Sequence, residues 1–234
     1  MEDTDGSDTA ELGHDAGVKK PPPLLAPVVW GIEQIVSRAT GRPATVRWDT
    51  GTLSALRGRI ERLTVGITEV QIGGLLLDRV VLKVRDAQLK PGLTPRLVSG
   101  PVRAQATVSQ TAIDAWVGAS SLPFRLELTE GGLRTTAGIG SLRVFHILTA
   151  LTVQEGWIRL RPVEAIGRSI PDVLRAAFTG NLPLPALPED AELIDVEHRE
   201  GSMVARVALS DLDESLDGRV ADRLRARLDA VNDS

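Results

Sequence analysis

The sequence predicts an α+β fold in which a curled antiparallel β-sheet wraps around an amphipathic helix, with a further helix at the C-terminus. Two patterns support this prediction. A stripe of apolar residues at helical spacing is followed by a long region in which apolar and polar residues alternate, and a second helical stripe closes the chain. With 234 residues, of which 42% are apolar, the chain can form a sizeable core.

The N-terminal part divides into a tail and a helix. Residues 1–22 are predicted to be a disordered acidic tail with a proline spacer, because they are polar, rich in carboxylates and end in Pro21 and Pro22. A helix is predicted to begin near Pro27, since proline suits a first helical position, and to end at Gly41. Its apolar stripe consists of Val28, Ile32, Ile35, Val36 and Ala39.

Alternation with a period of two predicts half-buried antiparallel strands from about Leu63 to Leu160. In one strand Leu76, Val80, Leu82 and Val84 are expected on one face, with Arg79, Lys83 and Arg85 on the other. In the next strand, Val102, Ala104, Ala106 and Val108 alternate with polar residues. Ser109 is predicted to cap a short helix that buries Ile113.

The segment Leu142–Val153 is apolar on both faces of a predicted strand. Leu142, Val144 and Leu148 point one way, and Phe145, Ile147, Leu151 and Val153 point the other. A strand of this kind must be covered on both faces, either by protein on each side or by protein on one side and a ligand on the other. This surplus of apolar strand surface is the main sequence observation that favours a bound apolar ligand.

The C-terminal part is predicted to contain a helix from Ser169 to Gly180, an extended Leu-Pro-rich stretch, and a hairpin that turns at Glu200-Gly201. Residues 213–234 are predicted to form an amphipathic helix, with Asp211–Glu214 capping its start. This helix could pack on its own domain, bind a partner or lie on a membrane surface. Residues 23–212 are therefore predicted to form one domain.

Composition argues against several functional classes. Without cysteine there is no thiolate chemistry, and the three His residues accompany no nucleophile motif or metal-ligand spacing, so we expect no enzyme, no metal site and no cofactor. Aromatic residues make up only 3% of the chain, and outside the acidic tail the two charge signs balance, so we expect no nucleic-acid binding.

No segment predicts a membrane-spanning helix or a convincing signal peptide. The longest stretches without a charged residue, Pro21–Ile32 and Val144–Gln154, are shorter than the roughly 18–20 residues that a spanning helix needs. We therefore expect a location in the cytoplasm or peripheral to the inner face of a membrane.

The order of these parts resembles the LmeA-like phospholipid-binding family over roughly Val28 to Leu209. The strand "EVQIGGLLLDRVVLKVRDAQL" and the series "NLPLPALPEDAELIDVEHREGSMVARVAL" are its most specific parts. The resemblance implies a sheet wrapped around a long helix, phospholipid binding, a role in the bacterial cell envelope, and no catalytic residue that can be placed here.

The leading functional hypothesis is a non-catalytic lipid-binding protein that holds an acyl chain in an apolar groove between sheet and helices. Aliphatic walls alone can bind an acyl chain, because each buried methylene contributes about 0.8 kcal/mol. The candidate lining residues are Trp30, Ile32, Phe145, Ile147, Leu151 and Trp157. Ordinary core packing is the alternative interpretation of each residue. A scaffold protein that docks a partner through its C-terminal helix is the alternative function.

Overall fold

The computed structural model describes residues 26–51, 53–54, 57–72, 74–119, 124–139, 142–154, 157–166, 181–182 and 191–232. The fold is mixed α+β with a curled, unclosed antiparallel sheet, which confirms the predicted class. The described elements, in chain order, are α1 (Ala26–Thr40), β1 (Ala44–Asp49), β2 (Arg59–Ile72), β3 (Leu75–Lys90), β4 (Arg96–Ser109), α2 (Gln110–Ala119), β5 (Phe124–Thr129), β6 (Gly132–Ile139), β7 (Leu142–Gln154), β8 (Trp157–Ile166), β9 (Asn181–Leu182), β10 (Ala191–Arg199), β11 (Ser202–Ser215) and α3 (Val220–Asn232).

The strands form two antiparallel sheets. The six-stranded sheet has the order β1-β2-β3-β4-β11-β10, and the five-stranded sheet has the order β5-β6-β7-β8-β9. The last strand in the sequence, β11, therefore lies inside the larger sheet, next to β4. The five-stranded sheet packs on the β10 side of the larger sheet, where β10 contacts β5, β6 and β7.

Helix α1 covers the β1 side of the larger sheet. Gly41 follows its last residue with a φ of +66°, a left-handed conformation that favours glycine and ends the helix as predicted. The helix runs antiparallel to β1, because Ser37 Oγ accepts from the Ala44 N–H and Glu33 Oε1 accepts from the Val46 N–H, both at 3.0 Å. Val29 and Ile32 enter the core with the apolar residues of β1 and β2.

Strands β2 and β3 change their inward-facing positions twice. On β3, the residues buried or partly buried toward the core are first Leu77, then Val80, Leu82 and Val84, and then Ala87. Leu76 is 37% exposed, so the prediction that it shares a face with Val80 was wrong. The reason is a three-residue step on each strand, such as that between Leu77 and Val80 on β3, which reverses the alternation of faces without changing the register.

Two residues with positive φ mark these steps. Glu69 has a φ of 56° within the step on β2, and Asp86 has a φ of 51° within the second step on β3. Both strands step at the same places, so the register is kept: Ile60 faces Ala87, and Val70 faces Leu77.

The short helix and the final hairpin follow their predicted signals. Ser109 precedes α2, and its Oγ lies 3.4 Å from the Ala112 N–H, the arrangement of an N-terminal cap. Ile113 is buried, as predicted. The hairpin of β10 and β11 turns at Glu200 and Gly201, where Gly201 has a φ of +67°.

The start of the C-terminal helix differs from the prediction. Asp211–Glu214 belong to β11 rather than to a cap, because β11 continues its pairing with β4 as far as Ser215. Asp217 takes the capping role: it accepts a hydrogen bond of 2.9 Å from the Arg219 N–H, and this bond holds the pKa of Asp217 below its usual value. The predicted tail, the helix Ser169–Gly180 and the Leu-Pro stretch beyond Leu182 lie outside the described residues.

Candidate lipid-binding site

Two rows of apolar side chains cross the entire six-stranded sheet on the face that carries α1. Each row takes one residue from each strand, in the order β1, β2, β3, β4, β11, β10. The first row is Ala44, Ile67, Val80, Ala106, Ala205 and Val196; the second is Val46, Val65, Leu82, Ala104, Val207 and Leu193.

Burial varies along these rows. Ile67 and Val65 on β2 are buried near α1, and Leu193 on β10 is buried near the five-stranded sheet. The six residues between them are only partly buried. We call them the open strip: Val80, Leu82, Ala104, Ala106, Ala205 and Val207.

The open strip is a shallow place because three of its six side chains are alanine. Alanine is depleted in strands relative to valine and isoleucine, and at three adjacent inward positions it fills less volume above the sheet than a branched residue would. α1 lies over β1 on one side of the strip, and the five-stranded sheet packs against β10 on the other. Helix α2 contacts β3 and β4 as well, so the arrangement is a partly buried apolar floor bounded by α1, α2 and the five-stranded sheet.

The chemistry of the open strip suits an aliphatic chain. Its side chains carry no polar atom, and the three strands that form it span about 10 Å at ordinary strand spacing. An aliphatic ligand on this floor gains about 0.8 kcal/mol for each methylene removed from water. Among the described residues, no group of three or more His, Asp or Glu side chains could hold a metal ion.

Two buried polar atoms lie on strands of the larger sheet, one on β3 beside the strip and one on β1, two strands away. Asp78, two residues before Val80, accepts a 3.0 Å hydrogen bond from Ser109 Oγ through Oδ1, while its Oδ2 is buried without a hydrogen bond. The indole N–H of Trp48, two residues after Val46, is also buried without one.

The opposite face of β10 and β11 carries an ion-pair network. Arg206 bonds to Asp195 and Glu197, and Arg199 Nε donates to Glu197 Oε1 at 2.8 Å. The hydrogen bonds from Arg199 and Arg206 hold the pKa of Glu197 below its usual value, Arg199 contributing most. This network links side chains of the edge strand β10 to β11. Its charged groups lie on the face opposite the open strip.

The six predicted lining residues fall on two different sheets. Trp30 is 63% exposed on α1, whereas Ile32 on the same helix is buried in the core. Ile147 on β7 is fully buried at 0% exposure. Phe145 and Leu151 belong to β7 and Trp157 to β8, but their side chains lie outside what the structure describes. The structure thus places Trp30 and Ile32 beside the larger sheet and the other four on the smaller one.

Sequence reasoning did not single out the open strip. The alternation in the sequence identifies Ala104 and Ala106 only as inward positions of a strand, and no pattern distinguishes Ala205. The available signal was the choice of alanine, rather than a branched residue, at inward strand positions. Their proximity to Ala205 depends on the pairing of β4 with β11.

Comparison with known families gives a match over most of the chain. A model of LmeA-like phospholipid-binding proteins matches residues 32–208, which is more than half of the 234 residues. The chain belongs to this family. The match ends within β11, so the LmeA-like region contains the whole open strip and excludes α3. No curated protein and no solved structure matches the chain.

Two further observations concern membranes and partners. None of the described helices of this LmeA-like protein combines the length and apolar character needed to cross a bilayer. Helix α3, outside the family match, packs against α1 and β2, with Val220 and Ala221 buried. The first turn of α3 therefore uses its apolar residues within the chain itself.

Proposed function

We propose that this protein is a non-catalytic phospholipid carrier that lays an acyl chain on the open strip, between α1 and the five-stranded sheet. Membership of the LmeA-like phospholipid-binding family supports a lipid ligand. The observation that carries the location is a patch of six partly buried apolar residues in the middle of two rows, with Val65 and Ile67 buried on the α1 side and Leu193 buried on the β10 side.

The residues predicted from sequence fit this proposal as walls. Ile32 belongs to the helix that covers one side of the strip, and Ile147 belongs to a strand of the sheet that packs against β10 on the other side. Phe145, Leu151 and Trp157 are proposed as further wall residues, and Trp30 as part of the lip. The polar part of the lipid then remains outside the apolar floor, since that floor has no group to solvate a phosphate.

Native mass spectrometry of the intact chain, followed by lipid extraction, tests the proposal. Purified protein is expected to carry phospholipid, and Ala205→Leu is expected to reduce the bound amount because the larger side chain fills the strip. Ala208→Leu is the matched control: Ala208 lies on the same strand but on the other face, opposite Arg103 and Glu192.

Protein that carries no lipid and takes up none from vesicles would contradict the proposal. An equal loss of lipid in both variants would contradict the location of the site. The alternative function, a scaffold that docks a partner through α3, is tested by deleting residues 216–234: loss of an oligomer with lipid retained would assign α3 to protein contacts.

A further inference from the structure

Three of the most exposed large apolar side chains lie toward one end of the larger sheet. Leu93 is fully exposed between β3 and β4, Leu53 is 73% exposed between β1 and β2, and Trp30 is 63% exposed on α1. Large apolar side chains in contact with water carry a free-energy cost that binding to an apolar partner removes. We call Trp30, Leu53 and Leu93 the apolar tip.

The topology places these residues at the same end. β1 ends and β2 begins where β3 ends and β4 begins, because the strands are antiparallel neighbours. The Leu89 N–H donates to the Gly58 carbonyl at 2.7 Å, which joins the segment before β2 to the end of β3. Leu53 and Leu93 therefore lie on adjacent connections.

Trp30 lies toward this end as well. Ser37 on α1 bonds to Ala44 on β1, and Glu33 on α1 bonds to Val46 on β1. Moving back along α1 therefore corresponds to moving forward along β1. Trp30 lies three residues before Glu33, and an α-helix rises about 1.5 Å per residue. This distance places Trp30 level with Arg47 and Trp48, near the end of β1.

Basic side chains without a carboxylate partner surround the two loops. Arg57 and Arg59 follow Leu53, and Lys90 precedes Leu93; all three are exposed, and none makes an ion pair in the part of the chain that the structure describes. Among the carboxylates at this end, Asp49 lies 3.9 Å from Arg62 and Asp213 lies 2.8 Å from Arg96, whereas Glu61, which accepts a 2.8 Å hydrogen bond from Ser54 Oγ, and Asp86 are exposed and make no ion pair with a described residue. The tip thus combines exposed apolar side chains with three unpaired basic residues, against two unpaired carboxylates.

We infer that the apolar tip is the surface through which the protein docks on anionic phospholipid membranes. Trp30, Leu53 and Leu93 insert into the interfacial layer, where tryptophan is favoured, while Arg57, Arg59 and Lys90 face the phosphate groups. The choice of a membrane as partner rests on the proposed function, because a carrier must collect its lipid from a bilayer. An acidic protein surface would attract the basic residues but would give Leu93 no hydrocarbon to enter.

The absence of cysteine allows a direct test of insertion in the full chain. Leu53→Cys, Leu93→Cys and Ile194→Cys each provide one attachment point for an environment-sensitive fluorophore. Ile194 is the control, since it is 52% exposed on β10, away from the tip. With vesicles of phosphatidylcholine and roughly one third phosphatidylglycerol, we expect a blue shift for labels at Leu53 and Leu93 and none at Ile194.

Affinity measurements on the same vesicles provide the second test. The double variant L53S/L93S is expected to bind about tenfold more weakly or worse, whereas I194S stays close to the parent chain. Replacing Arg57 and Lys90 by Gln is expected to lower the affinity about fivefold per charge on anionic vesicles and to have no effect on pure phosphatidylcholine.

The outcomes separate this inference from the proposed function. If L53S/L93S loses vesicle binding but still holds phospholipid in native mass spectra, the tip docks and the strip binds. If the variant binds vesicles like the parent, or if labels at all three sites respond equally, the apolar tip is not the docking surface. The proposal of a lipid carrier is unaffected by that result. If the parent holds no lipid but docks through the tip, the carrier proposal fails and the docking surface stands.

Discussion

Ala106 of β4 lies directly opposite Ala205 of β11 on the apolar face of the larger sheet, and both are partly exposed. Two alanines on the same face of adjacent interior strands fill less volume above the sheet than two branched side chains would. The sensitivity of this pair to added side-chain volume is the simplest measure of whether the open strip is accessible.

A size series at Ala106 measures that space. Ala106→Val and Ala106→Leu are expected to reduce bound phospholipid progressively while leaving stability unchanged or raising it by up to about 0.8 kcal/mol per added methylene. Bound lipid is measured by extraction, and stability by denaturant unfolding. If both variants are instead destabilised by about 1–3 kcal/mol, as overpacking of a filled core requires, the strip is closed.

A second prediction compares two leucines on neighbouring strands. Leu63 on β2 is 2% exposed, whereas Leu82 on β3 is partly exposed in the open strip. Leu63→Ala is expected to lower the free energy of unfolding by about 2–5 kcal/mol, because it leaves a cavity in the core. Leu82→Ala is expected to cost about half as much, since water already reaches that site. Equal losses in denaturant unfolding of lipid-free protein would show that the two sites are equally packed.

The positive φ of Asp86 leads to a third prediction. Asp86→Val is expected to destabilise the protein by about 1–2 kcal/mol, because a β-branched residue is strained at a φ of 51°, and Asp86→Gly is expected to be neutral or stabilising. Arg85→Val, at the adjacent exposed position, is the control and should have little effect. If Asp86→Val and Arg85→Val behaved alike in thermal unfolding, the left-handed conformation would not determine the change of face.

The fourth prediction concerns acid stability. The pKa of Glu197 is lower in the folded protein than in the unfolded chain, so its stabilising contribution is complete above the unfolded pKa of about 4.3 and is lost as the pH falls through the folded value. Glu197→Gln is therefore expected to lower stability at neutral pH and to flatten the loss of stability below about pH 4.

Denaturant unfolding from neutral pH to about pH 2 measures this effect, with Glu192→Gln as the matched control. Glu192 is exposed on the same strand and makes no ion pair with described residues. If the free energy of unfolding of Glu197→Gln fell with decreasing pH as steeply as that of the parent chain, the contacts with Arg199 and Arg206 would not stabilise the folded state.

The sequence predicted those features that local chemistry determines. Gly41 ends α1, Gly201 turns the last hairpin, and Ser109 caps α2, because each acts on its immediate neighbours. The two changes of face on β2 and β3 were missed, since Asp86 adopts a left-handed conformation without being glycine. That conformation follows from the pairing of two long strands rather than from the residue type.

The open strip could not be predicted because it combines distant segments. The alternation around Ala104 and Ala106 identified an inward face, but the neighbour of that face is β11 rather than the next strand in sequence. Only the observed pairing shows that Ala205 and Val207 extend the same surface. The apolar β7 segment was correctly placed as a strand, and burial of Ile147 shows that at least one of its faces is covered.

The position of β11 beside β4 also has a consequence for how the chain acquires its structure. The residues that pair there are separated by about a hundred positions. During synthesis β4 must present an unpaired edge until β11 has left the ribosome. The six-stranded sheet is therefore completed late, and folding is slow for a chain of this size. The unpaired edge of β4 is the part of the nascent chain most prone to aggregation, and it is where we expect a chaperone to bind.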